Sequence, residues 1–90
     1  MYSLEPTPTE VRKELANRFR ILRKKSKISQ KQMAERSGVS LGSLKRFENT
    51  GKVSLESLLK LMHLLGRLNE INSILTIDEN REEIEKLFTK

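Results

Sequence analysis

Two adjacent cations, Lys45 and Arg46, follow two hydroxyls, Ser40 and Ser43, that bracket Leu41 and the side-chain-free Gly42. An arginine can donate two parallel hydrogen bonds to guanine O6 and N7, and a lysine can donate to the same atoms as a point charge. Ser43 can bond to several bases, Leu41 can meet a thymine methyl group, and the amide and hydroxyl of Ser40 can reach a phosphate. This is chemistry for gripping and reading a polyanion, not for breaking bonds. No catalytic set stands beside it. The chain has no glycine-rich phosphate loop and no cysteine, and its serines have only His63 to act as a base. That single histidine forms no metal-ligand cluster, and no cofactor is implied.

The charge distribution points the same way. The net charge is +6, and residues 11–52 alone carry thirteen Lys or Arg against Glu14, Glu35 and Glu48. Residues 53–90 carry five basic and seven acidic residues. A basic first half with an acidic-leaning end fits a polyanion on one part of the molecule and protein contacts on the other. Within the basic half, Arg12, Arg18, Arg20, Lys24, Lys25 and Lys27 divide between phosphate contact and plain solvated surface. The absence of cysteine suits a reducing compartment, and no apolar run is long enough to span a membrane. The expected location is cytoplasmic.

Helices must hold these groups in place. Residues 1–7 read as a leader. Thr7, Pro8 and Glu10 form a helix start, with Thr7 as cap and Glu10 placed to close a capping box. Val11, Leu15, Phe19 and Leu22, with Ala16 beside them, recur at helical spacing to about Lys25. Ser29 and Gln32 form a second capping box, opening a short helix with Met33 and Ala34 facing inward. Gly38 supplies a turn, Val39 an apolar plug, and Ser40 the cap of a third helix whose buried pair is Leu44 and Phe47. After Asn49, Thr50 and Gly51, Ser54 caps a fourth helix with Leu55, Leu58, Leu59, Met62 and Leu65 in one stripe. Leu61 and Leu64 widen that stripe, so this helix is expected to have two partners. Residues 74–77 are compatible with helix or strand. A last helix from Asp78 or Asn80 would carry Ile84, Leu87 and Phe88 on one side, for packing within the chain or for assembly.

Two short helices joined by a glycine-containing turn define a helix-turn-helix unit, whose second helix can stand proud enough to enter a major groove about 12 Å wide. Residues 29–48, followed by 54–61 and Leu64-Leu65-Gly66, resemble the Cro/C1-type (Xre) family of regulators. The resemblance covers residues 11–68. It implies an all-α, lambda-repressor-like five-helix domain over residues 8–68, with a short helical extension, 69–90, for dimerisation or partner binding. It also implies a structural ion pair between Arg23 and Glu48, tying the first helix to the third. Gln30 then stands where the family contacts phosphate or braces a reading side chain, and Asn49 and Lys52 where backbone contacts fall. Gly42 departs from the common pattern of a polar, base-reading residue. It leaves most readout to Lys45 and Arg46, unless the backbone itself approaches the DNA closely.

The resemblance implies a homodimeric repressor on double-stranded operator DNA. Residues 42–48 and 53–61 are particularly similar to HipB-like antitoxins, which neutralise a HipA-like kinase toxin and repress their own operon. A stand-alone or phage-type repressor is the alternative within the family. An adaptor that keeps the fold without DNA affinity is the alternative outside it.

Overall fold

In a computed structural model of the protein, residues 5–77 are described, and they form five α-helices with no strand among them. These are α1 (Pro8–Lys25), α2 (Gln30–Ser37), α3 (Leu41–Thr50), α4 (Leu55–Leu64) and α5 (Leu68–Asn72). The expected final helix beyond Asp78 lies outside the described residues.

Each of the first four helices begins on a hydroxyl. Thr7, Ser29, Ser40 and Ser54 accept from the backbone N–H three residues on, at 3.0–3.1 Å, satisfying donors that a helix start otherwise leaves unpaired. Only Ser29 completes a capping box, with Gln32 Oε1 accepting from the Ser29 N–H at 3.0 Å. At Thr7 the reciprocal half from Glu10 is not made.

The ends follow the same logic. At the close of α1, the Lys27 N–H bonds to Lys24 and the Ile28 N–H to Arg23, a Schellman arrangement with Lys27 in the left-handed region at φ 59°. Gly66 occupies the equivalent place after α4. At the end of α3, Gly51 is required by two constraints together. Its φ is +78°, and a Cβ there would lie 2.6–2.8 Å from Arg12 side-chain and backbone atoms. The helices α1 and α3 approach too closely for a side chain between them.

The core is Ala16 and Phe19 from α1, Met33 and Ala34 from α2, Val39 from the turn, Leu44 and Phe47 from α3, and Leu61 from α4. The Phe19 and Phe47 rings meet in a tilted pair with centroids 5.4 Å apart. Two sequence expectations shift here. On α1 the buried stripe is Ala16, Phe19 and Arg23, with Arg12 half-buried in line. Val11 and Leu15 lie on the neighbouring stripe and are 41% and 43% exposed. On α4 the deepest residue is Leu61, while Leu55 is 65% exposed and Leu58 and Met62 are half-buried. In both helices a second apolar row runs beside the buried one.

Residues 74–77 are neither helix nor strand. After α5 the chain makes a turn, with Leu75 at φ 62°, and Ile74, Leu75 and Ile77 are exposed.

Candidate nucleic-acid interface

The joint between α2 and α3 begins with composition. Ala34 is small enough for α3 to cross close to α2, and the two helices pack directly. Gly38 takes φ +82°, reversing the chain without strain, and Val39 fills the joint at 4% exposure. On α3, Leu44 and Phe47 then face inward. The face opposite holds Gly42, Ser43, Lys45, Arg46 and Asn49, all exposed. The spacing from 42 to 45, 46 and 49 follows the three- and four-residue repeat of one helix surface.

The inner face of α3 ends in charge. Arg23 Nε donates to Glu48 Oε2 at 2.6 Å and Arg23 Nη2 to Glu48 Oε1 at 2.9 Å, a two-pronged pair whose side chains are 8% and 3% exposed. Arg23 Nη1 donates further to the Ile28 carbonyl at 2.9 Å. No buried side-chain nitrogen or oxygen among the described residues lacks a partner. A buried pair of this kind is tolerable because its desolvation is met by complete hydrogen bonding.

Gln30 joins this network. Its Nε2 donates to Glu48 Oε1 at 3.0 Å, and the residue is half-buried. The side chain read from sequence as a phosphate contact or brace is therefore fastened from below. Among the described residues, its second N–H and its carbonyl have no partner. Spacing alone did not show this bond, because Gln30 and Glu48 lie eighteen residues apart.

Other placements differ from the sequence reading. Leu41 was expected on the outer face, but it is half-buried and packs against the core. The reason is register: 41, 44 and 48 share one helix face, and 44 and 48 are buried. Arg12, grouped with the candidate phosphate contacts, instead donates from Nε to the Thr50 carbonyl at 3.2 Å and helps close the end of α3. Ser40 and Ser43 are linked to each other: the Ser40 hydroxyl accepts from the Ser43 N–H at 3.1 Å and donates to the Ser43 hydroxyl at 2.8 Å. Ser43 keeps its own hydroxyl hydrogen for an outside acceptor. Asn49 and Lys52 are exposed.

Gly42 has nothing within 4 Å of where a Cβ would stand. The fold does not require a glycine there, in contrast to Gly51.

Ser43, Arg46 and Lys52 come together at a polar cleft of about 270 Å³, whose other walls include Ser54 and Ser57. Ser54 and Ser57 were missed as site residues. Their visible signal was the cap of α4, and only the turn after Gly51 brings that cap beside Arg46.

The model of the helix-turn-helix family, of the Cro/C1 type, matches residues 19–70. The chain belongs to the Cro/C1-type helix-turn-helix family. The match spans all of α2, α3 and α4, and so includes the unit that carries Lys45 and Arg46. It supports a DNA-binding regulatory role for the helix-turn-helix domain. A search of curated proteins returns no match. Among the described residues, no helix is long and apolar enough to cross a membrane.

Proposed function

We propose that the protein is a sequence-specific regulator that binds double-stranded DNA as a homodimer in the cytoplasm and represses transcription, with α3 as the reading helix. One observation carries this reading. The inner face of α3 is sealed into the core, while its outer face presents Lys45 and Arg46 to solvent without an ion-pair partner among the described residues. Arg46 would supply the main base contact, bidentate to a guanine, with Lys45 beside it. Ser43 would bond to a neighbouring base, Ser40, Asn49 and Lys52 would set the register on the phosphates, and Gln30, fixed by Glu48, would contact phosphate or brace a reading side chain. A two-fold dimer would place two such helices about one turn of DNA apart on a near-palindromic site.

The test begins with selection of binding sites from random duplex DNA, followed by affinity measurement at a fixed salt concentration. Arg46→Ala is expected to weaken binding to the selected site by about 1–3 kcal/mol and to relax preference at one base pair. Equal binding and unchanged preference would remove Arg46 from the site. Absence of any selected sequence would instead favour an adaptor that keeps the fold without DNA affinity.

The finer reading is an antitoxin and autorepressor of a HipBA-like operon, with a HipA-like kinase toxin as partner. It is supported by the similarity of residues 42–48 and 53–61 to HipB-like antitoxins. Co-expression with the product of the adjacent gene tests it: a kinase-like protein that co-purifies and is inhibited supports the antitoxin. A chain that binds DNA with no such neighbour is a stand-alone or phage-type repressor.

A further inference from the structure

Nothing in the described fold asks for a glycine at position 42. Gly42 is the second residue of α3, it is exposed, and its φ is not left-handed, unlike that of Gly38, Gly51 and Gly66. Glycine is among the poorest helix formers, and an alanine Cβ here would meet nothing within 4 Å. The surroundings keep the place open. Leu41 turns toward the core, and the hydroxyls of Ser40 and Ser43 are drawn to each other at 2.8 Å. One turn further along the same face stand Lys45 and Arg46. The outer face of α3 therefore begins with a notch. Its floor is the Gly42 Cα, a small apolar surface that carries no side-chain donor or acceptor.

We propose that this notch determines specificity: it seats the C5-methyl group of a thymine in the space that a Cβ would fill. The inference rests on α3 being the reading helix. Chemistry and size select the occupant. The thymine methyl is the apolar group that base edges present in the major groove, and the notch offers it apolar contact. A purine edge or a cytosine amino group set there would give up water without gaining a side-chain partner. The Ser43 N–H beside it is already taken by the Ser40 hydroxyl, at 3.1 Å. As for size, the group missing from Gly42 is a methyl, so a methyl from the DNA replaces it. The apolar contact expected of Leu41 thus moves one residue along, because Leu41 itself is half-buried against the core. Gly42 sets a preference that neither Lys45 nor Arg46 can set, since both read by donating hydrogen bonds.

The test uses the full-length protein and duplexes of its selected site in which uracil, which lacks the methyl group, replaces each thymine in turn. At a fixed salt concentration, the native protein is expected to lose affinity by about three- to tenfold at one thymine of each half-site. Gly42→Ala should bind the unmodified site at least about tenfold more weakly, and should recover by at least about threefold when that same thymine is uracil, because the protein now brings the methyl. Its Tm should rise by about 2–6 °C, which separates the lost affinity from unfolding. Equal affinity of the native protein for every uracil duplex, or native-like affinity of Gly42→Ala for the unmodified site, would overturn the proposal. A lower Tm in Gly42→Ala would overturn it too, by showing that the fold needs the glycine. If Arg46→Ala still weakens binding in those cases, α3 remains the reading helix without this contact. A protein that selects no sequence would remove both.

Discussion

The α1–α3 joint and the α4–α5 end of this small protein are built to different standards. At the joint, every polar group brought inside is matched: Arg23 meets Glu48 twice and Ile28 once, Gln30 meets Glu48, and Arg12 meets Thr50. No room is spare, since even a methyl group at Gly51 would collide with Arg12. At the other end, Leu55 and Ile74 stand more than half exposed and an apolar groove lies open. Close packing penalises small changes at the first place, and open surface forgives them at the second. The helix that carries Lys45 and Arg46 is held from the strict side.

Three substitutions probe that contrast, in order of expected effect. Glu48→Ala would leave the Arg23 guanidinium buried without its carboxylate. It should lower unfolding free energy in urea by about 3–5 kcal/mol. A loss under about 1 kcal/mol would mean that the joint is as tolerant as the open end. Gly51→Ala adds one methyl group where the backbone is left-handed and Arg12 is in the way. A destabilisation of about 1–3 kcal/mol is expected, read from the shift in urea midpoint. Leu55→Ala, at the open end, should change stability by less than about 0.5 kcal/mol despite removing a leucine from a leucine-rich helix. A larger loss would show that Leu55 is covered in solution and would narrow the difference between the two regions.

Much of the joint was legible in the residues. Ser29, Ser40 and Ser54 announce helix starts because few other residues satisfy a first-turn N–H, and Gly38 announces the turn because it takes a left-handed φ freely. The pairing of Arg23 with Glu48 followed from family resemblance, and the geometry brings the two together. What stayed hidden was relational. On α1, the expected stripe of Val11, Leu15, Phe19 and Leu22 beside Ala16 holds at Ala16 and Phe19, but residue type favours Val11 and Leu15 over Arg12 and Arg23 as their neighbours, and only the approach of α3 decides for the arginines. Leu41 suffered the same ambiguity at one step of rotation. The Gln30–Glu48 bond and the cleft joining Arg46 to Ser54 depend on how far the chain turns at two glycines, which no local pattern encodes. Lys27 shows the converse, a left-handed residue without the glycine that would mark it.

Arg12 and Arg23 lie eleven residues apart on α1, about 16 Å along its axis, yet both reach the last turn of α3, at Thr50 and Glu48. A single attachment would act as a hinge. Two attachments set three turns apart on α1 act as a bracket, and they fix where the end of α3 sits along α1 as well as its distance from it. The outer face of α3 is thus carried like a tool in a rigid mount, with its bearing set when the chain folds.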